Sequence, residues 1–486
     1  MTGALVLAAL AATAPAETLV IGTLADPAGL APHRATDLVA AEIVANVCET
    51  LVRVRPGSLR PEGVLATAWA TPDQRVWTLT LREGVLFHDG TRLDADAVAA
   101  NLEHLRDERG FPGHAARLGP FVVQITLDRP NAALLSTLSQ PFFAIQSPAR
   151  FVARPETPVG TGPFRLGAVK PGLVELLAFD GHWGGAPRSK RLLFRRFRSE
   201  EALARALAAG EADVSSALGP GRAALLRAHA SVTLDTQAGL NLTFLAVNNE
   251  RSPFSDVRVR RALSRAVDRS ALVRELLAGH AEPAHAALPP TLLGPDTRAR
   301  ELMLDREAAR RLLADARVAR GFETTLTVSR APRPYLLEPL RAAERIRDDL
   351  AQVGLAVRLR KVESWAEHVA LTSRGDFELA LLGWRADTLD PNDFLTALVD
   401  SGSIGTTNRS RYKSAVMDGL LKRARQDSAA GARLTLYRQA QELVQNDMPF
   451  VPLYHSAVFT AYRRDVRGLV IGPTGILRYD KAWKQP

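Results

Sequence analysis

An α/β fold in more than one domain is what this sequence predicts, on three observations. Runs that alternate apolar and polar residues recur along the chain, interleaved with stretches of helical periodicity. At 486 residues the chain is too long for one ordinary core, and roughly 150 residues per domain suggests two or three. A hydrophobic content of 46% with 23% charged residues is that of a soluble globular protein and excludes wholesale disorder.

The chain opens on what reads as an address. Residues 4–12 form a small apolar run, and Ala14-Pro15-Ala16 fits the small-x-small pattern of a signal-peptidase site, so residues 1–16 are predicted as a signal peptide. Only Met1-Thr2-Gly3 precede the run, so the usual basic n-region is missing. The run is too short to span a bilayer, no other stretch does so, and no Cys follows the cleavage site to carry a lipid anchor.

A first strand is expected over residues 18–24, then a proline-punctuated loop carrying Asp26 and His33, both read as turn residues, then a helix over 38–52. Cys48 is the only cysteine, which excludes an internal disulfide; within that apolar helix it reads as a packing thiol. Trp77, Leu79 and Leu81 alternate as a half-buried strand. His88-Asp89-Gly90 makes a tight turn, and Asp94 caps a helix with Asp96 in its first turn. Val159-Gly160-Thr161-Gly162-Pro163-Phe164 lacks the third Gly of a dinucleotide loop and the G-K-[ST] of a P-loop, so it is read as a turn between subdomains.

In the second half, a strand over 240–248 leads into a helix opened by Ser255-Asp256, with Val259, Ala262, Leu263 and Ala266 on one face. Asp268 caps another helix, and Asp305 starts a third. Strands near 324–328 and 355–359 flank a helix over about 337–353. Residues 375–395 then read as a strand, with Phe377, Leu379 and Leu381 alternating, that ends at Gly383-Trp384. It delivers Trp384, Arg385, Asp387, Asp390 and Asp393 to its carboxyl end, where open α/β sheets bind ligands. Asp390-Pro391 suggests a turn before a new helix. Asp393, and Asp390 with less force, read better as solvated loop acids or N-caps than as ligand-binding groups. Further helices are expected over 415–425 and through Leu434-Tyr437-Leu443.

A formal charge of +10 and pI of about 10.1 invite a nucleic-acid reading. The Arg residues are scattered among acids at helical spacing, which suits solvated faces and i,i+4 pairs better than a phosphate track. The one dense patch, residues 191–198 with Arg195 and Arg196, is too short to change that reading. There is no H-E-x-x-H, no G-x-S-x-G and no Cys/His metal spacing. His280 and His285 flank Pro283 with no third ligand near, so a surface loop is the expectation. Neither catalysis, cofactor nor metal is indicated.

Several of these pieces, in this order, carry a resemblance: F-H-D-G-T (87–91), G-T-G-P-F (160–164), N-N-E-R-S-P-F-S-D-V-R-V-R-R-A-L-S-R-A-V-D (248–268) and G-W-R-A-D-T-L-D-P-N-D-F-L (383–395). The chain resembles the extracellular solute-binding proteins of family 5, receptors of ABC importers for oligopeptides, dipeptides, nickel chelates and opines. The resemblance implies a two-lobed periplasmic binding protein fold (type II, cluster C) with an inserted subdomain and a two-strand hinge. Lobe I would be residues 17–246 with the insertion at about 48–164, lobe II residues 247–455, and residues 456–486 a return to lobe I. In that family's peptide receptors the Asp of the A-D pair holds the ligand's α-ammonium group, which by position is Asp387. Trp384 would wall the pocket, Arg385 could meet a ligand carboxylate or phosphate, and Tyr335, Tyr412 and Asp390 are expected near the cleft. The expected partners are a peptide and the permease subunits of an importer, in the periplasm, for a monomer that binds no nucleic acid. A non-peptide solute (an opine, a metal chelate or a sugar-like ligand) is the alternative within the class. A transcription regulator would need a helix-turn-helix domain in front, and an exported hydrolase would need catalytic motifs.

Overall fold

The computed structural model describes residues 17–35, 37–54, 60–153, 157–293, 303–318, 320–386, 388–427, 429–471 and 474–485. The predicted signal peptide lies outside them. Among the described residues no helix is long and apolar enough to cross a membrane.

A twelve-stranded sheet runs through the molecule. At one end Leu355–Val362, Phe322–Ser329 and Leu379–Arg385 lie side by side, followed by Asn241–Val247. At the other, Thr18–Thr23 pairs in parallel with Arg191–Arg196, which leads out through Leu173–Ala178 to Phe164–Lys170. The two ends share one strand of 14 residues, Phe450–Arg463. Its first part pairs antiparallel with Asn241–Val247 and its last part with Val232–Ala238, so the chain crosses outward through those two consecutive strands and returns on the one long strand.

Where the two crossings meet, space is short. A Cβ on Gly239 would lie 2.2 Å from Asn241 Nδ2 and 2.3 Å from the Ser456 carbonyl oxygen. The Asn241 amide donates to that oxygen at 2.8 Å and accepts from the Ser456 N–H at 2.8 Å, and His455 Nδ1 donates to the Asn241 carbonyl at 2.7 Å. Buried there, the His455 imidazole is held neutral, its pKa lowered to about 4 by desolvation.

Around this sheet the apolar side chains divide. Leu19, Ile21, Phe194 and the helix Leu38–Val47 form one cluster, with Val20, Leu203, Leu207 and Phe459 on another. Towards the other end Ala380 and Leu382 belong to one core while Leu379 and Leu381 belong to a second, as strand alternation requires. A separate four-stranded sheet, ordered Ala66–Ala70, Val76–Leu81, Val122–Leu127, Gly113–Gly119, packs with the helix Ala95–Arg109 over a core drawn from Leu51 to Val159.

The local chemistry read from the sequence accounts for most element starts. Asp94, Asp256, Asp268 and Asp305 each accept a backbone N–H in the first turn of their helices. The first helix is shorter than expected: it ends at Val47, and Cys48 is its extended C-cap, with residues 52–54 a strand. The cause is the G-T-G turn. A Cβ on Gly160 would sit 2.1 Å from the Val47 carbonyl and one on Gly162 2.7 Å from that of Asn46, so the turn fits against the helix end only without side chains. His88 Nε2 donates to the Gly162 carbonyl at 2.9 Å, joining the two motifs. From the far end of the chain, the Tyr479 hydroxyl donates to Glu42 Oε1 on the same helix at 2.5 Å.

Not every arginine is a solvated one. Arg191 and Arg196 pair with Glu175 and Asp26 at the surface. Arg260 and Arg269 are instead buried, their guanidinium groups donating to backbone carbonyls, among them those of Asp447 and Met448 at the end of the helix Ala430–Asp447. Orphan carbonyls at a helix C-terminus are the natural acceptors for a buried cation.

Candidate functional site

Leu379–Arg385 is tied to Asn241–Val247, with Trp384 opposite Leu242 and Arg385 opposite Asn241. Alternation sends the two side chains to opposite faces. Trp384 packs on the core containing Leu242 and Phe244, and its indole N–H donates to Asp393 Oδ1 at 3.3 Å. Asp393 Oδ2 accepts the Thr388 N–H at 3.1 Å, so this acid fixes the loop after the strand rather than standing solvated.

On the other face the Tyr335 ring lies against the strand backbone: a Cβ on Gly383 would come within 2.3 Å of it. The Tyr335 carbonyl accepts the Thr243 hydroxyl at 2.6 Å, and burial raises the phenol's pKa. Arg385 stands close enough to oppose that rise. Trp384, Arg385 and Tyr335 are thus brought to one strand end, Trp384 on one face and the other two on the opposite one.

Asp390 and Tyr412 are spent elsewhere. Asp390 is 1% exposed; its Oδ1 caps the helix Pro391–Val399 and its Oδ2 receives Arg433 Nη2 at 2.7 Å. Tyr412 is 4% exposed, and its hydroxyl donates to Asp447 Oδ2 at 2.5 Å. Both polar groups are engaged within the protein. Asp387 lies outside the described residues.

A cavity of about 290 Å³ opens beside Arg385 and Ala386. Its other walls are Ala35 and Asp37, Gln140 to Phe142, and Thr474 and Ile476 from the tail. Four chain segments converge there, from both halves of the molecule. Asp37 gives both carboxylate oxygens to backbone N–H groups, of Ala28 at 2.7 Å and Ala40 at 2.9 Å. The remaining lining offers a guanidinium, an amide and the apolar faces of Pro141, Phe142 and Ile476. Such a space can hold a ligand with an apolar body and an anionic group. Gln140, Phe142 and Ile476 stand in no motif, and only the convergence reveals them. Among the described residues no group of three or more His, Cys, Asp or Glu side chains is placed to hold a metal.

Known proteins resemble the whole of this arrangement. The family model described as bacterial extracellular solute-binding proteins, family 5 Middle, matches residues 60–406. Heme-binding protein A of Haemophilus influenzae is 30% identical, covering 88% of this chain and 85% of its own. The dipeptide-binding protein of Escherichia coli is 29% identical over 97% of this chain and 95% of its own. HbpA2 from Haemophilus parasuis has the same fold at a TM-score of 0.90, with 28% identity over 96% of this chain and 100% of that one. The periplasmic binding protein DppA from Helicobacter pylori, in complex with the peptide STSA, gives 0.79 with 27% identity over 96% and 98%.

Proposed function

The chain belongs to the bacterial extracellular solute-binding proteins, family 5, with their mixed α/β periplasmic binding protein fold, and from that premise we propose that it captures short peptides. As a member of that family it is the non-enzymatic substrate-binding component of an ABC importer. The finer reading is ours: an exported, periplasmic receptor whose lobes, residues 17–246 with 456–486 and residues 247–455, close on the ligand and present it to the permease.

The observation that carries the peptide reading is the placement of Arg385 and Ala386, from the G-W-R-A-D motif, at a strand end beside the cavity. A peptide's α-ammonium is costly to bury unless a carboxylate meets it, and Asp387 supplies one by position. Arg385 suits the peptide's anionic end, and Phe142 with Ile476 its side chains. Closure would turn on the crossing at Gly239 and Ser456, with ligand favouring the closed form by its extra contacts there.

A haem reading has the similarity to heme-binding protein A in its favour. The described lining of the cavity contains no His, Cys, Met or Tyr, the side chains that hold haem iron, and this favours peptides. Mass spectrometry of molecules released by denaturing purified protein, followed by calorimetry with di- and tripeptides and haem, tests the choice. Short peptides that bind only with a free α-ammonium support it. A single non-peptide species, with no heat from any peptide, overturns it.

A further inference from the structure

A second cavity, of about 610 Å³, shares no lining residue with the first and lies between the loop His182–Ala186, the hairpin around Arg53 and Val64, and the tail from Gly468 to Trp483. Its lining includes Arg53, Arg188, Arg478 and Lys481 beside two indoles, Trp183 and Trp483. Elsewhere on this basic surface arginines have partners: Arg117 with Asp96, Arg205 with Glu201, Arg191 with Glu175. Arg53 likewise has Glu62 at 3.0 Å. Arg188, Arg478 and Lys481 have no carboxylate within 4 Å among the described residues.

Two acids, Glu49 and Asp480, share the lining with these cations and leave it net positive. Glu49 is 2% exposed and gives its oxygens to the Thr161 hydroxyl at 2.8 Å, the Trp183 indole at 2.8 Å and the His182 ring at 3.2 Å. Asp480 has its Oδ1 buried with no hydrogen-bond partner. Net positive charge gathered in a concavity attracts anions more strongly than the same charge on a convex surface.

The indole of Trp183 is set in place before any ligand arrives. Its N–H is tied to buried Glu49, and the Arg82 guanidinium lies 4.0 Å from its ring centroid, itself fixed by a bond to the Val64 carbonyl at 3.0 Å. It is still 36% exposed. A rigid, partly open aromatic surface binds flat rings with little entropic cost. Arg188 stacks on Trp483 at 4.7 Å, bringing a guanidinium to the same wall.

We propose that this cavity is a second ligand site, for a flat-ringed polyanion with the chemistry of a nucleoside diphosphate: ring on Trp183, phosphates on Arg188, Arg478 and Lys481. Arginine and lysine together suit phosphate oxygens, and stacking on tryptophan tolerates many ring types. The site does not depend on what the first cavity binds.

Calorimetry with ADP, adenosine and pyrophosphate on the full chain tests it. The expected result is saturable ADP binding, with adenosine and pyrophosphate each about tenfold weaker or more, since each lacks half the contacts. The double variant Arg478→Ala/Lys481→Ala should weaken ADP by about tenfold or more while its melting temperature stays at the wild-type value. Pyrophosphate binding as tightly as ADP would remove the ring from the proposal. Absence of ADP binding, or ADP binding untouched by the double variant, would overturn the site.

Discussion

Arg433 and Asp390 stand 2.7 Å apart, each almost wholly shielded from water at 5% and 1% exposure. The pair locks the start of the helix Pro391–Val399 to the helix Ala430–Asp447, and Arg433 also donates to the Tyr437 hydroxyl at 3.0 Å. Removing one partner strands the other charge in the interior. Asp390→Ala is therefore expected to cost about 3–5 kcal/mol of stability, read from urea unfolding. Ligand affinity of the folded fraction should hold; an affinity loss at unchanged stability would return Asp390 to the binding site.

Asp387→Ala should have the opposite signature. If this carboxylate holds the α-ammonium group of a peptide, its loss should weaken binding by about 2–5 kcal/mol, with the melting temperature nearly unchanged. N-acetylated peptides should bind poorly to both proteins. Equal peptide affinity in variant and wild type would sink the assignment.

Gly160→Ala tests the junction of the two motifs. The added methyl would meet the Val47 carbonyl at 2.1 Å, which is backbone and cannot swing aside. A loss of about 1–3 kcal/mol is expected, from the shift that relieves the clash. Gly90→Ala meets no atom but keeps a positive φ of 84°; it should cost about 1–2 kcal/mol through backbone strain alone. Denaturant midpoints of the two variants compare the two mechanisms directly.

Stability should vary with pH in a direction set by three buried groups. Desolvation lowers His455 and His368 from 6.5 to about 4. The unfolded chain takes up these protons as pH falls through 6.5 and the folded one does not until about 4, so their stabilisation is complete above 6.5 and lost on the way down. Burial raises Glu42 from 4.5 to about 7, so its contribution is complete below 4.5 and lost as pH rises through 7. Between 6.5 and 4.5 two protons oppose one, and stability should fall by about 1.4 kcal/mol per pH unit from these groups. Urea midpoints should peak between pH 6 and 7, and Glu42→Gln should remove the loss on the alkaline side. A midpoint still rising below pH 6 would contradict the assignment.

What could be read before folding was local. Caps such as Asp94 and Asp268 need only their own first turn, and the strand bearing Trp384 shows its period in five residues. The partners of Asp390 and Tyr412, Arg433 and Asp447, lie 43 and 35 positions away on a helix whose inner face carries no motif, so neither contact is legible in the sequence. Gln140, Phe142 and Ile476 escaped notice for a related reason: a cavity wall built from four segments has no linear pattern. Arg260 looked like one more surface arginine until the carbonyls at the end of another helix were in view.

The contact between Tyr479 and Glu42 spans 437 positions, and Thr18–Thr23 reaches Phe450–Arg463 only through Val214–Ser215. Thr18–Thr23 thus waits for strands far along the chain before its surroundings are complete. Contacts this distant in sequence form late and slowly. If the chain is exported as proposed, that delay would be useful: the early part would stay unfolded enough to be translocated, and the later residues would complete the structure on the far side.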